Sequence, residues 1–155
     1  MTSLLARFCQ LWITLPLGAL AACALAGCGS PLPSLTPVTG AVTYDGKPLE
    51  DAFVVFLPQG DTKGHGGMGK TNAAGRYEVM AAKGNGRKGL PSGEYKVVIS
   101  RRRLPDGSLP PPKVPPIESG ARETVPERYT KVEETPLSAT IGSHAQSVDL
   151  TLDGK

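Results

Sequence analysis

The stretch Gly64-His65-Gly66-Gly67-Met68-Gly69-Lys70-Thr71 decides between two fold classes, because GHGGMGKT satisfies the phosphate-loop spelling G-x-x-x-x-G-K-[ST]. A phosphate-binding loop needs a buried strand before it and a helix after it, so that backbone N–H groups and the helix N-terminus converge on the phosphates. Here the preceding residues, Gln59 to Lys63, form a polar loop cut off by Pro58 from the apolar run before it. The following residues, Asn72-Ala73-Ala74-Gly75-Arg76-Tyr77, read as a turn leading into a strand. The stretch is therefore read as a glycine-rich loop entering a strand near Met68 to Thr71, no nucleotide is expected, and the chain is expected to be all-β.

Strand signals continue on both sides. Val38, Gly40, Val42 and Tyr44 alternate with Thr39, Ala41 and Thr43 and end at Asp45-Gly46, a pair that tolerates the positive φ angles of a tight hairpin turn. Ala52-Phe53-Val54-Val55-Phe56-Leu57 is a continuous apolar run stopped by Pro58, which suggests a central buried strand. Gly75 introduces Arg76 to Met80, and Gly93 introduces Glu94-Tyr95-Lys96-Val97-Val98-Ile99, where Tyr95, Val97 and Ile99 share one face. The last strand places Val148, Leu150 and Leu152 inward. Five or more short strands divided by glycine turns predict a single antiparallel β-sandwich over residues 38–155.

One segment breaks the pattern. Residues 104–126 contain prolines at 105, 110, 111, 112, 115, 116 and 126, and each proline removes a ladder donor, so this part is expected to be a loop. Just before it, Arg101-Arg102-Arg103 is the densest charge in the chain and a candidate contact for an anionic partner, or else a solvated strand end that discourages edge pairing. Lys83, Arg87 and Lys88 are similar in character.

In order, Thr39-Gly40-Ala41-Val42-Thr43-Tyr44-Asp45-Gly46-Lys47-Pro48-Leu49, the Phe53 to Pro58 run, Thr71 to Tyr77 and Pro91 to Ile99 resemble carboxypeptidase-regulatory-like domains. The resemblance implies a transthyretin-like, Greek-key β-sandwich of the kind that recurs in bacterial envelope lipoproteins, with Val125-Pro126-Glu127-Arg128-Tyr129 as a late feature and Ser147 to Leu152 as the closing strand. Its motifs are turn glycines and strand patterns, which specify fold far better than activity. Relatives often carry acidic residues before the glycine that stands here as Gly75. This chain has Asn72 and Ala74 instead, so no calcium site is expected.

The first residues carry an address. Arg7 is the one charge before Cys9 to Ala26, an apolar, alanine-rich run, and the run closes on Leu25-Ala26-Gly27-Cys28. A basic start, an apolar middle and small residues at the end describe an export signal over residues 1–27. The last four residues resemble the lipobox of bacterial lipoproteins, which implies recognition of Leu25, Ala26 and Gly27 by the processing peptidase and acylation of Cys28. The alternative is an uncleaved anchor, since a run of roughly 18 apolar residues can just span a bilayer. On either reading the domain lies outside the cytoplasmic membrane, in the periplasm or at the cell surface. Residues 28–37 follow as a proline-punctuated tether that, at about 3.1 Å per residue, reaches roughly 25 to 30 Å.

Little reactive chemistry remains. Cys9 and Cys23 leave with the signal and Cys28 is acylated, so no free thiol or disulfide is expected. Removal of the signal leaves 16 basic against 14 acidic residues, a balance that points to no nucleic acid partner. His65 and His144 are the two histidines, and neither has a second ligand at metal spacing. Transthyretin-like sandwiches include a hydrolase branch that ends in Tyr-Arg-Gly-Ser, whereas this chain ends Leu152-Asp153-Gly154-Lys155. With no Ser-His-Asp or paired-carboxylate pattern either, no catalytic residue, metal or cofactor is expected. The sequence thus suggests a lipid-anchored envelope protein acting as a non-catalytic interaction or structural module, touching the membrane through Cys28 and an envelope protein or wall polymer through its domain. A carbohydrate or wall-polymer binder is the alternative. Trp12 lies in the signal, so Tyr129 is the main candidate for an exposed aromatic platform.

Overall fold

The computed structural model describes residues 33–115 and 118–154. The signal, the lipobox residues Leu25, Ala26 and Gly27, and Cys28 lie outside the described residues. Among those that are described, no helix is long and apolar enough to cross a membrane.

Among the described residues the regular structure is all strand apart from one short 3-10 turn, Glu127–Tyr129. In order the strands are β1 (Val38–Tyr44), β2 (Lys47–Pro48), β3 (Phe53–Pro58), β4 (Gly67–Lys70), β5 (Arg76–Glu78), β6 (Met80–Ala81), β7 (Gly93–Ser100), β8 (Arg102–Arg103), β9 (Arg122–Glu123), β10 (Ser138–Ile141), β11 (Gln146–Ser147) and β12 (Leu150–Leu152). They build two five-stranded sheets and one two-stranded ribbon.

The first sheet is organised around β1. Asp45 and Gly46 both take positive φ, 48° and 75°, so a two-residue turn folds β2 back with Tyr44 opposite Lys47. Farther back, β5 pairs antiparallel with Thr39 to Ala41. On the other edge of β1 the closing strands β11 and β12 run parallel to it, in register Val38↔Gln146 and Val42↔Leu150. The sandwich is antiparallel in its other pairings, as expected, and the cause of these two parallel pairings is topological. Strand β10 ends at Ile141 opposite Gly93, at the end of the molecule where β1 begins, so the chain crosses between sheets there and must run the same way as β1. Gly40 permits the close approach: a Cβ there would lie 2.0 Å from the Val148 carbonyl oxygen.

The second sheet has the order β10-β7-β3-β4-β6. Its inner face presents Val54, Phe56, Tyr95, Val97 and Ile99, all buried, against Val38, Val42, Tyr77, Leu150 and Leu152 of the first sheet. Phe56 sits between two tyrosines, with ring centroids 6.2 Å from both Tyr77 and Tyr95. Tyr77 Oη donates to the Val148 carbonyl at 2.6 Å and Tyr95 Oη to that of Pro91 at 2.8 Å, so neither buried hydroxyl is stranded. Burial pushes both phenol pKa values up, with the Asp149 charge adding to the effect at Tyr77.

The run Ala52 to Leu57 is central, as expected, but it is not buried on both faces. Among the described residues nothing covers the outer face of this sheet completely, and Phe53 and Met68 are 47% and 49% exposed there. Between β8 and β9 the described residues of the proline-rich segment form no strand or helix, and its ends are tied together: Arg102 pairs with Glu123 and Arg103 with Arg122 across the β8-β9 ribbon.

Candidate functional site

Register delivers three side chains to one place on that outer face. Phe53 opens β3, and its direct neighbours are Lys70, the last residue of β4, and Ser100, the last of β7. The chain then leaves β7 through Arg101 into the ribbon, and the loop between β8 and β9 folds back over Phe53. Leu109, Pro110, Val114, Ser119 and Ala121 of this loop, with Phe53 beneath and Lys70 and Arg102 beside it, enclose a mostly apolar cavity of about 170 Å³. Leu109 and Val114 are, like Phe53, large apolar side chains left substantially exposed.

Charge surrounds this apolar patch. Asp51, held in left-handed backbone at φ 58°, accepts Lys70 Nζ at 2.8 Å on one carboxylate oxygen and Arg103 Nη2 at 2.7 Å on the other. Lys70 is the main reason that the Asp51 carboxyl stays below its usual pKa; Arg103 acts in the same direction, and partial burial opposes both. The Lys70 ammonium also stands 5.8 Å from the centre of the Phe53 ring. A second carboxylate, Glu123, takes the Ser100 hydroxyl at 2.7 Å and the Arg101 N–H, and holds Arg102 Nε only at 3.6 Å.

The arginine triplet therefore divides by task. Arg101 is a tie: its Nε donates to the Glu50 carbonyl at 2.8 Å and its Nη1 to Thr124 Oγ1 at 3.2 Å. Arg103 is another, anchoring Asp51 with a side chain only 12% exposed and an Nε that is buried without a hydrogen-bond partner. Arg102 alone lines the cavity, with nearly half of its side chain in solvent.

Other residues named from the sequence fall elsewhere. The GHGGMGKT stretch ends in β4, an inner strand between β3 and β6, and turns at Asn72 into β5, so no helix terminus faces it. Thr71 is buried, its Oγ1 accepting the Ala52 N–H at 2.8 Å, while Asn72 Oδ1 accepts the N–H groups of Ala74 and Arg76. His65 and His144 are both exposed in loops. Among the described residues no group of three His, Cys, Asp or Glu side chains is placed to hold a metal. Tyr129 is a correction: it is 3% exposed, not a surface platform. Its 3-10 turn follows Val125 and carries the ring into the core, where Oη accepts the Asp153 N–H at 3.2 Å.

The sequence reading missed Phe53, Leu109 and Val114. A signal was available in the run Phe53 to Leu57, which is apolar at every position although a strand in a two-layer sandwich has one face turned outward.

The sequence matches no family model and no curated protein. Two solved structures are similar over 77% of the chain, each at 17% identity. One is a DUF3823 family protein from Parabacteroides merdae, with a TM-score of 0.39, of which this chain spans 46%; the other is a 9R-lipoxygenase from Cyanothece, with a TM-score of 0.36, of which it spans 16%. Likeness at that level assigns neither family nor activity.

Proposed function

We propose that this chain is a lipid-anchored cell-envelope protein whose sandwich, of the carboxypeptidase-regulatory-like kind, is a non-catalytic module that docks another envelope component. The anchor rests on Leu25-Ala26-Gly27-Cys28 at the end of an export signal. The observation that supports docking is the apolar cavity over Phe53, a concave site with charged groups at its rim. Arg102 is the member of the arginine triplet best placed to meet an anion there, because it lines the cavity half-exposed and meets Glu123 only at 3.6 Å, whereas Arg101 and Arg103 are taken up in holding the loop to the sheet. The alternative, a wall-polymer binder, has less support, since Tyr129 is inside the core.

In-membrane cross-linking of the full-length protein, followed by mass spectrometry, tests this reading. The expected result is a reproducible protein partner joined through residues near Phe53, together with loss of acylation and release from membranes in Cys28→Ser. A Cys28→Ser protein that still fractionates with lipid overturns the anchor. Cross-links to wall polymer alone overturn the protein-docking role.

A further inference from the structure

We propose, resting on that reading, that the Phe53 cavity is a pocket for one apolar side chain of an acidic peptide segment on a partner protein. Size sets the first limit. An apolar cavity of about 150 Å³ is enough for a single benzene ring, and the present one is about 170 Å³. Whole small-molecule ligands occupy pockets of roughly 300 to 1,000 Å³. What fits is an anchor of leucine or phenylalanine size carried on a larger body, the way a protein interface seats a hot-spot residue.

The rim sets the second limit. In the ion pairs of the described residues around the cavity, three cations, Lys70, Arg102 and Arg103, meet two carboxylates, Asp51 and Glu123. The shortage is local as well as numerical. Asp51 is shared between two cations, and Glu123 is committed to Ser100 and the Arg101 N–H while it meets Arg102 only at 3.6 Å. An incoming carboxylate beside Arg102 and Lys70 completes that arrangement, whereas an incoming ammonium adds to the excess. The walls discriminate in turn. Phe53, Leu109, Pro110, Val114 and Ala121 offer almost no hydrogen-bond partner, so a polar side chain is desolvated there without compensation.

The test uses methyl NMR on the full-length protein in zwitterionic nanodiscs, with a capped Asp-Glu-Phe-Asp-Glu peptide as the probe. The methyls of Leu109 and Val114 report the cavity and those of Val97, in the core, report the fold. The expected result is saturable movement of Leu109 and Val114 with Val97 unmoved, at least tenfold weaker binding when alanine replaces the peptide phenylalanine, and weakening by salt. Joint Lys70→Glu and Arg102→Glu substitution should exchange the preference for that of a Lys-Arg-Phe-Lys-Arg peptide. If this pair disturbs Val97, the single Arg102→Glu variant, at a half-exposed site, gives the same reading. Three results overturn the proposal: no movement at millimolar peptide, equal response to acidic and basic peptides in the unsubstituted chain, or movement that persists in Phe53→Ser. Failure here leaves the acylation and cross-linking results standing, and their failure leaves the methyl shifts standing, so the two readings fall separately.

Discussion

The two faces of the β3-β4-β7 sheet use similar residues for opposite ends. On the inner face Val54, Phe56, Tyr95, Val97 and Ile99 lose essentially all contact with water. On the outer face Phe53 and Met68 keep about half of their surface exposed, and the cover that Phe53 does receive comes from a proline-rich loop. A phenylalanine on β3 is thus a core residue at position 56 and part of an open cavity at position 53. Apolar character alone does not say which. What distinguishes them is what stands opposite: a second sheet supplying Tyr77 and Leu152 against one, a loop held by a few polar ties against the other.

The largest effect is expected on the inner face. Phe56→Ala removes the ring between Tyr77 and Tyr95 in a site that a second sheet holds open, so the cavity cannot collapse fully. The expected loss is about 3 to 5 kcal/mol, read as a lowered midpoint in urea unfolding with an unchanged slope. A loss below about 1 kcal/mol would mean that the two sheets are not packed as one core.

A smaller effect is expected at the rim, where ionic ties hold the loop. Asp51→Asn deprives Lys70 and Arg103 of their shared partner, at an expected cost of about 1 to 3 kcal/mol at neutral pH, because the Arg103 guanidinium is mostly withdrawn from water. The sign of the pH effect follows from the lowered Asp51 pKa. A carboxyl depressed in the folded state contributes stability above its unfolded pKa, near 3.9, and that contribution is lost as pH falls through the folded value. Below about pH 4 the parent protein should therefore approach the stability of the Asn variant as Asp51 protonates. Unfolding curves that remain a constant distance apart from pH 7 to pH 2 would show that the carboxylate charge does not hold this rim.

How much of this was legible in the sequence follows the range of the interactions. The period-two pattern of Tyr95, Val97 and Ile99 and the Asp45-Gly46 turn are local, and both are found where the pattern places them. The parallel course of β11 and β12 beside β1 depends on a crossover between sheets, which no window of sequence contains. Tyr129 escaped because a 3-10 turn, not a strand, directs it inward. The roles of Arg101 and Arg103 were hidden because their partners, Glu50 and Asp51, lie about fifty residues away in the chain. The cavity escaped for both reasons, since Phe53 comes from a strand and Leu109 and Val114 from a loop with no periodicity to read.

The smallest stability effect is expected at the residue most exposed to a partner. Phe53→Ala deletes a ring that is nearly half in water, against neighbours that already have solvent beside them, so little apolar surface returns to water on unfolding and no enclosed hole is left. The expected change in unfolding free energy is within roughly 1 kcal/mol, as for surface sites. The same substitution should nevertheless remove the floor of the cavity and with it the contact tested by cross-linking. A stable fold with a lost contact is the pattern of a residue kept for binding. If Phe53→Ala instead costs as much as Phe56→Ala, the loop from Leu104 to Ala121 is a third layer of the core, and the apparent difference between the two faces of the sheet is one of degree.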